Sequence, residues 1–131
     1  MIRNLLLAGT AIAVAASLAG NAFAGANDYA FEPVKAEVKS SNEATVAVRL
    51  VHKPSGKPVA DATITQTRLD MAPDGMASMT TAHVPLPSPE PGVYAFKASL
   101  TTAGRWLLTI SAKVQGEADP VVGKVIFKVA R

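Results

Sequence analysis

The chain has no cysteine, and beyond its first two dozen residues it has no apolar run long enough to span a bilayer. Without cysteine there is no disulfide staple, no thiolate ligand or nucleophile, and no attachment point for a lipoprotein anchor. Aromatic residues are scarce at 5%, so the core must come mainly from Val, Ile, Leu and Ala. Catalytic signatures are missing too. There is no Gly-x-Ser-x-Gly elbow and no His-Glu-x-x-His pair; Gly116 and Gly123-Lys124 are too far apart for a phosphate-binding loop, and no Ser or Thr follows the lysine. His52 and His83 are distant in sequence, and His52 ends an expected strand beside a turn. The sequence therefore predicts a protein that is not an enzyme. Lys and Arg total 13 for a net charge of +3, but they are scattered and have no interleaved aromatic platform, which argues against nucleic acid.

The opening residues read as an address. Arg3 is followed by the uncharged stretch Leu5 to Leu18, and Ala22-Phe23-Ala24 presents small residues where signal peptidase cuts. Residues 1–24 are predicted to be a signal peptide cleaved at Ala24-Gly25, its apolar run being shorter than the roughly 20 residues of a membrane-spanning helix. The expected location is the periplasm, with no stable membrane anchor. What remains is one domain's worth of chain. Its 49% hydrophobic content is sufficient for a packed core rather than a disordered tail.

Residues 25–33 read as an N-terminal arm that Tyr29 and Phe31 could pin to the domain spanning residues 34–131. Within the domain the pattern is that of strands. Val46, Val48 and Leu50 alternate with Thr45, Arg49 and Val51, the period of a half-buried strand. The β-branched run from Ala62 to Asp70, then Gly92 to Leu100, Arg105 to Val114 and Val121 to Val129 read likewise. Ala72-Pro73-Asp74-Gly75 is a turn by chemistry, which makes Asp70 and Asp74 turn formers rather than a catalytic carboxylate pair. Pro85, Pro87, Pro89 and Pro91 exclude a central strand there and predict a connector. The expected architecture is all-β: an immunoglobulin-like antiparallel β-sandwich of about seven strands. Tyr94, after Pro91-Gly92, resembles the tyrosine that ties a crossing loop in such domains, and Trp106 reads as a core anchor.

One cluster is not explained by folding alone. Of four methionines, all but the initiator lie at Met71, Met76 and Met79, with His83 close behind. Thioether and imidazole are soft donors that favour Cu(I), or its surrogate Ag(I), over Zn(II) and hard cations. A hairpin turn would make Met71 and Met76 cross-strand neighbours. A regular strand would send Met79 to the opposite face, so a shared site including Met79 and His83 needs the segment after Met76 to leave strand geometry. The competing reading is that flexible thioethers fill an irregular end of the sandwich.

The residues Arg68-Leu-Asp-Met-Ala-Pro-Asp-Gly-Met76, Gly92-Val-Tyr94 and Ala103-Gly-Arg-Trp106 together resemble the exported FixH/YtkA-like family. The resemblance runs from about Val34 to Val129. It implies a small immunoglobulin-like domain associated with heavy-metal efflux or copper-dependent oxidase assembly, with Met71 and Met76 as shared motif positions and Gly92, Tyr94, Gly104 and Trp106 as fold positions. Two readings follow: a periplasmic Cu(I)-binding accessory with envelope efflux or oxidase-assembly proteins as partners, and a metal-free interaction module docking on an envelope complex. The leader generates the first prediction. Intact mass of the periplasmic fraction should show a chain beginning at Gly25, and a full-length species confined to membranes would contradict it.

Overall fold

The computed structural model describes residues 26–131; the predicted signal peptide and its cleavage junction lie outside the described residues. Ten strands follow in order: β1 Tyr29–Pro33, β2 Glu37–Lys39, β3 Ser41–His52, β4 Lys57–Pro58, β5 Thr63–Met71, β6 Met76–Thr80, β7 His83–Leu86, β8 Val93–Leu100, β9 Gly104–Lys113 and β10 Val121–Ala130. The described residues form no α-helix, hence no helix long and apolar enough to cross a membrane. One sheet runs β1-β3-β8-β7, with β4 folded back onto the end of β3; the other runs β2-β10-β9-β5-β6. The two sheets stack as an all-β sandwich.

Alternation explains which residues meet between the sheets. Val46, Val48 and Leu50 of β3 and Phe96, Ala98 and Leu100 of β8 are buried from one side. Trp106, Leu108 and Ile110 of β9 and Val125, Phe127 and Val129 of β10 are buried from the other. Each strand sends every second side chain inward, so the polar residues between them stay in water. Trp106 is 2% exposed and its indole N–H donates to the Thr102 carbonyl at 3.0 Å, a core anchor with its one polar atom satisfied.

Several short elements depart from the sequence expectation, each for a physical reason. The expected arm contains β1, which pairs antiparallel with β3 from Tyr29↔His52 to Pro33↔Val48. Its aromatic residues hold it there: Phe31 lies against Gly123 of the opposite sheet, and the Tyr29 hydroxyl donates to Glu117 at 2.9 Å. The pairing is not wholly antiparallel either, since β2 runs parallel to β10 from Glu37↔Lys128 to Lys39↔Ala130. The proline-rich connector begins as strand, because β7 is an edge paired only with β8 and Pro85 is tolerated where one side needs no ladder.

The chain passes between sheets twice near the future site. From β4 to β5 it is tied by Tyr94, whose hydroxyl donates to the Val59 carbonyl at 2.7 Å and accepts from the Ala62 amide at 3.2 Å. From β6 to β7 it is tied by Thr81, whose amide donates to Leu69 at 3.3 Å and whose hydroxyl donates to Ser99 at 2.5 Å. These contacts rank two substitutions. Trp106→Ala should cost about 3–5 kcal/mol by removing a buried ring. Tyr94→Phe, which orphans two loop groups while leaving the ring, should cost about 1–3 kcal/mol. Urea unfolding should return that order, and equal losses would contradict it.

Candidate functional site at the methionine turn

The turn after β5 is shaped locally by Pro73 and Gly75. Pro73 presets its own φ inside a short 3-10 turn, Ala72–Asp74, and Gly75 closes it in the left-handed region at φ 79°. Asp70, 4% exposed, holds the entry: its carboxylate accepts from the Ala72 amide at 2.9 Å and from the Arg68 guanidinium at 2.8 Å. Asp74 holds the exit. It accepts from the Arg105 amide and from the Arg105 Nε, both at 2.8 Å, while Arg105 Nη2 donates to the Pro73 carbonyl at 2.6 Å. Both carboxylates therefore serve the turn, and both are fully engaged in doing so.

Gly104 makes this clamp sterically feasible. It adopts φ 141°, and a Cβ there would come within 2.5 Å of the Met71 methyl and 2.6 Å of Asp74 Oδ2. The Gly104-Arg105 pair thus accepts the turn from below with no side chain in the way. Sequence reasoning assigned Gly104 to the fold but did not foresee Arg105 as the partner of Asp74. The adjacency of a glycine, a cation and the only tryptophan was the available signal.

Met71 and Met76 are register partners across the turn, as the hairpin expectation required. Beyond them the ladder slips: Met71 faces Met76, yet its neighbour Asp70 faces Thr80. Ala77, Ser78 and Met79 form the excess, and Arg68 Nη2 secures the bulge by donating to the Ala77 carbonyl at 2.8 Å. Read backward from Thr80, strand alternation returns Met79 to the face shared by Met71 and Met76. The ladder therefore departs from regular strand register between Met76 and Thr80.

Accessibility divides the set. Met71 is 1% exposed, beneath Gly104, whereas Met76 at 43% and Met79 at 36% face solvent. His83 stands on the other sheet, on β7 opposite Ala98. Its Nε2 lies 2.6 Å from the Thr67 hydroxyl and its Nδ1 3.3 Å from the Thr81 carbonyl, with Phe96 packed edge-on against the ring. The carbonyl requires a proton on Nδ1, so in the neutral ring Nε2 accepts from Thr67. His83 is thereby committed to tying the two sheets together. Among the described residues no group of three or more His, Asp or Glu is arranged to hold a metal ion.

Electrostatics reinforces the clamp. Burial pushes the Asp70 carboxyl up, but the Ala72 amide and the Arg68 guanidinium together outweigh it and hold Asp70 below the usual carboxylate range. The Arg105 amide, then its guanidinium, hold Asp74 below that range as well. A lowered folded-state value stabilises the protein above the unfolded carboxylate pKa of about 4, and that stability is lost as pH falls through the folded value. Thermal melts from neutral to acid should show the wild type losing stability more steeply below about pH 4 than Asp70→Asn or Asp74→Asn. The variants should be less stable at neutral pH and converge with the wild type in acid; parallel curves would show that the clamps do not titrate.

The sequence matches the model of the YtkA-like family over residues 23–111, a span that includes the methionine turn, the Tyr94 tie and the Gly104-Arg105-Trp106 step. No curated protein matches the chain. Because that span is well over half of the sequence, the chain belongs to the YtkA-like family.

Proposed function

We infer that this protein is an exported soft-metal accessory that holds one Cu(I), or Ag(I), at the methionine turn and serves envelope metal-efflux or copper-handling machinery. The reading is supported by the pairing of Met71 with Met76 and by the register shift that follows it, which removes the strict alternation that would turn Met79 away from them. Met71 supplies the inner donor, while Met76 and Met79, open to solvent, are where the ion arrives and leaves. The two aspartate clamps fix the turn without contributing free carboxylates, so the site stays soft and neutral. His83 remains a tie between sheets rather than a ligand.

Thioethers need not lose a proton to bind, so affinity should hold under mildly acidic conditions where an imidazole site would weaken. Zn(II), which prefers thiolate, imidazole and carboxylate, should bind poorly. A second reading is favoured by the exposure of Met76 and Met79: the same edge serves as an apolar contact for a protein partner in the envelope, with no metal.

Competition of Cu(I) against a calibrated chelator separates the two. The wild type should bind one equivalent, and the Met76→Leu/Met79→Leu double variant, which keeps apolar volume and deletes sulfur, should bind at least about tenfold more weakly. His83→Gln should leave the affinity unchanged. Equal weak binding by wild type and double variant would overturn the metal reading and leave the contact surface standing.

A further inference from the structure

The edges of the two sheets are not equally guarded. An exposed strand edge is a template for another strand, and proteins blunt such edges with charge, proline or brevity. β2 is three residues long and carries Glu37 and Lys39. β1 ends in Glu32 and Pro33, and β7 contains Pro85 and is followed by Pro87. The first half of β5 has none of these, its one interruption being a register shift against β9 between Ile64 and Gln66; β6, Met76–Thr80, is also free of charge and proline. That half of β5 reads Thr63-Ile64-Thr65-Gln66-Thr67, with no charge and no proline. On one side it is paired with β9; on the other, β6 and the residue after it engage only Arg68 to Met71. Residues Thr63 to Thr67 therefore present a length of strand with no ladder partner on that side, although β5 lies inside its sheet by order.

The sandwich is open at the same place. Where a further strand beside β5 would face β7 and β8, a cavity of about 310 Å³ lies between the sheets, lined by Ile64, Thr67, Pro85, Leu86, Tyr94 and Phe96 among others. No charged side chain lines it. Two of its lining residues take part in ties already described: Thr67 with His83, and Tyr94 with Val59 and Ala62. The gap thus has the features a missing strand would need, an unpaired backbone edge for its main chain and an apolar slot for its alternate side chains.

The geometry points to strand addition: the Thr63–Thr67 edge receives an extended segment of a partner protein, uncharged and apolar at the alternate positions that enter the cavity. Unpaired backbone identifies the occupant as polypeptide in extended form, and the uncharged lining sets its inward side chains. A second copy pairing through the same edge does not suit the slot, because its inward-facing Ile64 is already packed against its own core. The inference concerns a surface separate from the methionine turn and stands independently of metal binding.

The test uses the processed chain and two capped heptapeptide probes, one alternating threonine with valine and one alternating threonine with glutamate. Binding is followed by the backbone amide signals of the protein and by their hydrogen exchange. The expected result is that the valine probe alone shifts and protects amides within Thr63–Thr67, and that Leu86→Glu, which places a charge in the slot, weakens it by at least about tenfold. Should Leu86→Glu fail to fold, the location of exchange protection in the wild type decides the matter. Equal binding of both probes, protection elsewhere, or no binding overturns the proposal. So does concentration-dependent dimerisation that protects Thr63–Thr67 in the absence of peptide, since the occupant would then be a second copy.

Discussion

Two sheets with no disulfide between them stay packed only while their inner faces exclude water. Here that rests on the interleaving of Val46, Val48, Phe96 and Leu100 from one side with Trp106, Leu108, Ile110 and Phe127 from the other. The aliphatic bulk of this set follows from a chain poor in aromatic residues and lacking cysteine. Burial is non-directional, so it holds the layers together without deciding where the connecting loops lie. Directional contacts at the perimeter do that. Tyr94 ties the crossing from β4 to β5, Thr81 and His83 tie the crossing from β6 to β7, and Tyr29 joins β1 to the turn before β10.

The methionine turn depends on the same division between packing and direction. Met71 is buried by the core, which anchors the turn in depth. Asp70 and Asp74 then fix its orientation by accepting from backbone amides and from Arg68 and Arg105. A thioether site has weak donors and little charge of its own, so positioning must come from neighbours that are not themselves ligands. Two carboxylates paired with arginines provide that positioning for the turn. Gly104 allows the arrangement, because any side chain there would occupy the space of the Met71 methyl and the Asp74 carboxylate.

The methionine turn and the open edge are neighbours on one strand. β5 begins as the unguarded Thr63–Thr67 edge and ends in Asp70 and Met71, with His83 meeting Thr67 between them. A segment added at the edge would lie beside the His83 tie, and that tie leads through Thr81 to the end of β6. The proposed accessory role would require a partner surface near the methionine turn, and β5 carries both proposed surfaces.

Much of the architecture was legible from local pattern. The alternation in Ala44–His52, the β-branched run of β5, the Pro-Asp-Gly turn and the Tyr94 tie are each encoded within a few residues, and the structure places them as the periodicity requires. The fates of the arm and the proline-rich connector were not legible, because short edge strands form from the neighbour they meet rather than from their own propensity. The clustering of Met71, Met76 and Met79 was visible in the sequence. The register shift that follows Met76 was not, since it depends on a ladder slip between Asp70 and Met71 held by Arg68. By itself the sequence determined the long strands, which of their residues turn inward and which soft donors lie close along the chain, all properties of spacing. Only the tertiary structure decided that Asp74 meets Arg105, that His83 is spent on Thr67 and that the first half of β5 has no ladder partner on one side. Those outcomes depend on which strands become neighbours, and spacing along the chain does not specify that.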